Sequence, residues 1–417
     1  MKYTEIADII SGGTPKTSCP EYWDGDIPWL SVVDFSNCDK YVYTTERSIT
    51  EKGLNNSSTK LLQKDDIIIS ARGTIGAMAM IPYPMAFNQS CFGIRAKDGI
   101  DSHYLFYLTQ IKIKELQTKS KNGNIFKSIT LETFENINVE LPSLEEQKKI
   151  AKILSDIDQK ISLNNSINKE LEQMAKEIYD YWFVQFDFPD ENGRPYKSSG
   201  GKMVYNPILK RDIPLGWEVK TLDSILNKIS SGNRPGPIDK TLKDGIPSLG
   251  AECIDTLGVF NFEKTPFVAY DFQSEMTRGK IEDKDILIYK DGAYVGKTTL
   301  FQDSFPYKEA YVNEHVFLVN TKDKFLQYYL FFTLNQPIYF DIMQALGKAK
   351  AAQPGLNQQD LKNIKIIIPH KDTYTAFYKN VSFYLKNIFN NSLQNKELQK
   401  QRDELLPLLM TGQVKVK

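Results

Sequence analysis

The sequence is written twice, and that duplication constrains its fold more than any other feature. SGGTP at 11–15 matches SGNRP at 231–235, and GDIPWLS from Gly25 matches DGIPSLG from Asp244. KDDIIISARGTIG from Lys64 matches DKDILIYKDGAYVG from Asp283, with Gly73 falling on Gly292 and Gly76 near Gly296. NQSCFGIRA from Asn88 matches NEHVFLVNT from Asn313, and LETFENINVELP (131–142) matches QQDLKNIKIIIP (358–369). The order is kept throughout and the offset drifts only from 219 to 227. A fold for this chain therefore has to build one unit and then build it again.

Each copy ends in a long helical pattern. From Leu141 to Phe183, apolar residues recur at Ile150, Ile153, Ile157, Ile167, Leu171, Met174, Ile178 and Tyr181, a three-four alternation that predicts one stripe. Ser143 followed by Glu146 predicts a capping box at its start. From Ile368 to Leu409 a similar stripe runs through Val381, Tyr384, Ile388, Leu398 and Leu405, with Asn391 standing on Asn164. A polar residue in mid-seam fixes register at a cost in stability. At about 1.5 Å per residue, roughly 40 residues give a rod on the order of 60 Å. The simplest partner for one rod is the other.

Between these rods the short runs 67–70, 77–81, 137–141, 286–289, 315–319 and 364–368 predict strands bounded by Gly, Pro and Asn. The segments 103–117 and 325–335 predict helices. The Pro, Gly and Ser content of 184–206 marks a connector. The expected organisation is a first α/β unit at 1–142, a first long helix at 143–183, a connector at 184–215, a second unit at 216–369, and a second long helix with a tail at 370–417.

Composition restricts the setting. The 417 residues carry 41% apolar side chains and no net charge, enough for two or three cores. Cys19, Cys38, Cys91 and Cys253 lie far apart, which suggests neither a disulfide framework nor a zinc site. The first ten residues lack a signal-peptide run and no stretch of about 18 apolar residues occurs, so the expectation is a cytoplasmic protein without a membrane partner. Charge is clustered all the same. Lys112, Lys114, Lys119, Lys121 and Lys127 face one acid, Glu115, while Lys348, Lys350, Lys362 and Lys365 face Asp360 at the matching place.

These motifs carry a resemblance. LPSLEEQKKIAKILSDIDQKI, the connector WFVQFDFP…GRPYKSSGGKMVYN…IPLGWE, the SGGTP…GDIPWL and DDIIISARGTIG runs, and the closing LLPLLMTGQVKV together resemble the DNA-specificity (S) subunit of type I restriction-modification systems. The resemblance implies two α/β (α+β) target-recognition domains in pseudo-two-fold repeat, separated by two long helices forming an antiparallel coiled coil. It implies that each domain reads one half of a bipartite asymmetric site on double-stranded DNA, that two methyltransferase (modification) subunits dock on the chain, and that restriction (motor-nuclease) subunits join them. S-adenosylmethionine, ATP and Mg would then be bound by those partners, and this chain would hold no cofactor or metal and perform no catalysis. The second rod departs from the pattern, because HKDTYTAFYKNV replaces SLEEQKKIAKIL and leaves Glu146 and Gln147 without counterparts.

Geometry is consistent with that implication. Two readers on a rod of about 60 Å would fall within one to two turns of B-DNA. Reading four bases needs Arg, Lys, Asn and Gln on loops that enter the major groove. The candidate loops are 120–129, with Lys121, Asn122, Asn124 and Lys127, and 347–360, with Lys348, Lys350, Gln353 and Asn357. A second set comprises Lys16 and Arg234 on the paired polar turns, with Arg72, Lys290 and Lys297 beside the glycine-rich turns. Each of these is also compatible with an ordinary polar surface. Glu146, Gln147, Trp182 and Phe183 are candidates for partner docking, though for the last two a core is the favoured reading.

The enzyme-like motifs are incomplete. GAYVGKT lacks the first glycine of a phosphate-binding loop, with Asp291 in its place. Glu-x-Lys and Asp-x-Lys spacings recur too often to mark a nuclease, the histidines (His103, His315, His370) stand without a nucleophile, and no methyl-donor loop is found. Other readings stay open at this stage: a coiled-coil scaffold that binds only proteins, the recognition subunit of a stand-alone methyltransferase complex, and an enzyme that cleaves or modifies DNA alone.

Overall fold

The computed structural model describes residues 1–36, 38–120, 128–233, 242, 244–349 and 355–416. The chain divides into two compact units, Met1–Leu163 with Glu397–Lys417, and Asn164–Lys396. Both divisions fall inside the long helices, Leu144–Tyr179 and Lys371–Met410, so each unit holds part of both.

In the first unit a four-stranded antiparallel sheet orders its strands Ala7–Ser11, Cys91–Ala96, Ile67–Ser70 and Met78–Met80. The run 67–70 is buried at every position, as the unbroken β-branched string requires of a strand covered on both faces. A second sheet pairs Trp23–Leu30 parallel with Met85–Phe87, between edge strands Arg47–Ile49 and Leu61–Leu62. The second unit repeats the plan. Leu226–Ser231, Val316–Thr321, Ile286–Tyr289 and Thr298–Leu300 take the same order, and Ile246–Leu249 again pairs parallel with Tyr311–Val312. Even the turn before the central strand is copied, since Asp65 and Lys284 both adopt positive φ (67° and 69°). The buried carboxylate beside it has different partners: Asp66 is paired with Arg95 at 2.6 Å, whereas Asp285 accepts from Asn320 at 3.0 Å.

Two expectations change. The strand expected at 137–141 is a single bridge, Lys2 to Asn138, whereas its counterpart Lys365–Ile368 pairs fully with Glu218–Thr221. The first unit carries one helix, Ser102–Ser120, where the second carries two, Gln327–Leu334 and Pro337–Lys348. Pro337 has no N–H to continue a helix and suits a first-turn position, so the chain stops and restarts there.

The long helices run antiparallel within each unit. In the first, Ile150 and Leu154 share a core with Leu406 and Leu409, and Asp158 pairs with Arg402 at 3.0 Å. In the second, Asn164 donates to Gln394 and Asn395 (both 2.8 Å), Asn168 donates to Ser392 at 3.2 Å and accepts from Asn391 at 2.9 Å, and Tyr179 meets Phe377. The buried face is Ile150, Leu154, Ile161, Asn164, Ala175 and Tyr179. It is rotated from the apolar stripe read in the sequence, leaving Ile167, Met174 and Tyr181 exposed. The reason is chemical: the seam is built in its middle from asparagines and in its second half from a small alanine, which a hydropathy count passes over.

Lys40 ties this helix to its unit. Its ammonium donates to Ser155 Oγ (2.7 Å) and Tyr107 Oη (3.1 Å) and lies 4.5 Å from the Tyr107 ring centroid. Burial pushes its pKa down to about 8, against the opposing pull of Asp158, Asp101 and Asp65. Between about 8 and the ordinary 10.5 the unfolded chain holds a proton that the folded chain has released, so stability rises with pH through that window. Denaturant unfolding at several pH values from about 7.5 to about 10 should show the wild type gaining on Lys40→Met as pH rises. A difference independent of pH would remove this account.

Candidate nucleic-acid interface

At one end of each unit, three loops and a helix end are fastened by the same bonds. In the first unit the turn 71–76 leaves the central strand. Ala71 N–H donates to Ser90 O (2.9 Å), Ala71 O accepts from Ile129 N–H (3.0 Å), and Gln117 on the helix Ser102–Ser120 donates to Ile75 O (3.0 Å). In the second, Lys290 N–H donates to His315 O (3.1 Å), Lys290 O accepts from Leu356 N–H (2.7 Å), and Gln344 donates to Val295 O (2.6 Å). These are equivalent positions of the repeat, and in both the turn passes through a glycine at φ 77°, Gly73 and Gly292. Nothing lies within 4 Å of a Cβ built on Gly73, so only the left-handed backbone asks for glycine there.

The polar turns near the start of each copy close against the same strands. Gly13 N–H donates to Phe87 O at 3.0 Å and Thr14 bonds Gln89, while Gly232 N–H donates to Asn313 O at 3.2 Å. A Cβ on Gly12 would overlap Asn88 O, and one on Gly232 would overlap Val312 O. Close backbone approach is what the glycines of SGG and SGN provide.

A domain model matches this chain twice: residues 1–173 and 214–403 fit the type I restriction modification DNA specificity domain. The chain belongs to the type I restriction-modification specificity family. It is 31% identical to the type I restriction enzyme MjaIX specificity subunit of Methanocaldococcus jannaschii over all of this chain and 93% of that one. It is 26% identical to the HindI specificity subunit of Haemophilus influenzae, over 71% of this chain and 73% of that one. The crystal structure of a type I restriction-modification S subunit from M. genitalium has a similar fold, with a TM-score of 0.54 and 16% identity over 98% of this chain and 95% of that one. The duplicated unit is thus the target-recognition domain of this specificity family, present in two copies. Among the described residues no helix is long and apolar enough to cross a membrane.

Of the side chains expected at DNA, Lys121, Asn122, Asn124, Lys127, Arg234, Lys350 and Gln353 lie outside the described residues. Lys16 and Arg72 are exposed on loops at the same end of the first unit. In the second, Lys297 sits in the 290–297 turn and pairs with Asp255 at 3.4 Å, the Lys290 ammonium lies 5.1 Å from the Phe317 ring centroid, and Lys348 ends the helix that Gln344 fastens to that turn. Asn357 is a helix cap: its side chain accepts from Asp360 N–H at 2.7 Å, as Thr130 does from Thr133 in the first unit. Its carbonyl oxygen is engaged by that bond.

The docking candidates separate in the same way. Glu146 is exposed and completes the expected capping box with Ser143, whose hydroxyl and N–H hold its carboxyl below the ordinary range. Gln147 is buried, accepting from Asp101 N–H at 3.0 Å and donating to Pro142 O at 3.1 Å. Trp182 and Phe183 lie in the core of the second unit, 8% and 5% exposed. Residue-by-residue matching of the two rods leaves Gln147 unmatched, yet at the equivalent position Tyr374 also tethers its helix, donating to the Asp323 carboxylate at 3.0 Å. Sequence reading weighed Asp291 and His315 only against incomplete enzyme motifs, whereas offsets of 219 and 225 set them on Arg72 and Ser90.

Proposed function

We propose that this chain is the sequence-reading member of a type I restriction-modification complex. Each target-recognition domain reads one half of a bipartite, asymmetric double-stranded DNA site. The long helices set the spacing and carry two methyltransferase subunits, to which restriction subunits attach. The chain itself does no chemistry, and S-adenosylmethionine, ATP and Mg belong to its partners. The observation that supports this reading best is the duplicated loop platform: one backbone framework, fastened by the same bonds in both units, carries different side chains at its tips. Such a scaffold suits direct readout, in which rigid loops place variable donors and acceptors against base edges.

The test is to co-express the chain with the methyltransferase subunit encoded beside it and to map methylated adenines. A single bipartite motif, absent when this chain is omitted, is expected. Exchanging residues 1–140 for another such unit should rewrite one half of the motif completely and leave the other half unchanged. A stable complex without any motif would instead favour a protein-binding scaffold.

A further inference from the structure

The platform isolates one position in each unit. The residue before it is pinned through both its N–H and its C=O, at Ala71 and Lys290, and the residue after it is glycine at φ 77°. That position is Arg72 in the first unit and Asp291 in the second. The flanking residues are fastened alike while the chemistry is inverted, from five donors to a pair of acceptors.

Arg72 is exposed and has no ion-pair partner among the described residues. A free guanidinium fork on a fixed backbone matches the N7 and O6 acceptors of guanine. Asp291 is held: His315 Nδ1 lies 2.8 Å from its Oδ2, and the carboxylate remains 37% exposed. His315 also lies 3.3 Å from Glu314, through Nε2. A carboxylate at this spot would repel phosphates, so it does not serve as a backbone clamp; it suits the amino group that cytosine presents in the major groove. His315 occupies the place of Ser90, so the ring and the carboxylate differ from the first unit together.

We infer that positions 72 and 291 are the matched base-reading positions of the two domains, Arg72 selecting guanine in one half-site and Asp291 selecting cytosine in the other. This rests on the DNA-reading function proposed above. His315 is a positioning residue that orients the Asp291 carboxylate.

The complex of this chain with its methyltransferase subunits is given a library of DNA sites, with each base of the motif randomised in turn, and methylation is read site by site. Arg72→Gln is expected to reduce discrimination at one guanine of the first half-site, on the order of tenfold or more, with every other base read as before. Asp291→Asn should do the same at one cytosine of the second half-site, and His315→Ala should widen choice at that same base and no other. A merely structural role for His315 would weaken all bases of the half-site together. Relative preferences stay readable at low activity, so an equal loss at every site overturns the inference, as does relaxation at a base other than guanine or cytosine. Thermal melting of each variant separates misfolding from altered reading, and Arg72→Lys provides a milder second variant: it keeps the charge, loses the fork, and should relax the same guanine. If the wild-type complex yields no motif, the proposed function itself has failed. A wild-type motif left unmoved by these variants overturns this assignment alone.

Discussion

Phe377→Ala is expected to cost the second unit about 3–5 kcal/mol, the range for emptying a fully buried aromatic site. Phe377 is 0% exposed and its ring centroid stands 5.0 Å from that of Phe183, 5.9 Å from Phe332, and 6.0 Å from both Tyr179 and Trp182. Those residues come from both long helices, from the π-helical turn Asp180–Val184 that continues the first, and from the helix Gln327–Leu334, so the cavity would open where these elements meet. The chain's four tryptophans divide between the units, Trp23 and Trp29 in the first, Trp182 and Trp217 in the second. Denaturant unfolding followed in a background with Trp23 and Trp29 replaced by Phe therefore reports the second unit. Phe377→Leu, which keeps most of the volume, should lose under about 1.5 kcal/mol. If the alanine variant lost less than about 1 kcal/mol, the cluster would not be the anchor described here.

The second large effect lies in the first unit. Asp158 accepts from Arg402 at 3.0 Å and from the Tyr107 hydroxyl, and both it and the guanidinium are largely withdrawn from water, 10% and 25% exposed. Removing one partner of such a pair strands the other charge, so Asp158→Ala should cost about 3–5 kcal/mol. Arg402 keeps a contact with Asp403 at 2.9 Å, which stands on the exposed side and compensates little. Replacing Arg402 by Met as well should restore most of the loss, because the stranded charge disappears with it. A double variant no more stable than Asp158→Ala would mean that the cost arises elsewhere, for instance in the Tyr107 hydroxyl.

Much of the architecture can be read from the sequence because it is written twice. The glycine-rich turns, the central strands and both long helices are found where the repeat puts them, and the offset of 227 that aligns the rods also aligns Gln117 with Gln344 and Thr130 with Asn357. What escaped was chemistry carried by unlike residues. The mid-seam asparagines Asn164 and Asn391 were legible from the repeat, but a hydropathy pattern also puts Ile167 and Met174 on the buried face, where the structure instead buries Asn164 through amide pairing. Matching by identity cannot equate Gln147 with Tyr374, although both tether a long helix to the aspartate that caps the helix or turn after the last strand of the main sheet. Asn357 stands one residue ahead of a short helix, and the capping bond its carbonyl oxygen accepts there was not read from the sequence.

The division of the chain inside its long helices bears on its synthesis. The first unit's residues up to Leu163 emerge from the ribosome well before the Leu406 and Leu409 that complete its core and the Arg402 that neutralises Asp158. The amino-terminal unit thus waits, with part of the Ile150–Leu154 face uncovered, until the second unit has been translated in full. At about 5–20 residues per second, the roughly 240 residues between Leu163 and Arg402 impose a delay of at least about ten seconds. A chain built this way lets its second unit, one unbroken stretch from Asn164 to Lys396, close before its first, so the order of completion is the reverse of the order in which the two units begin.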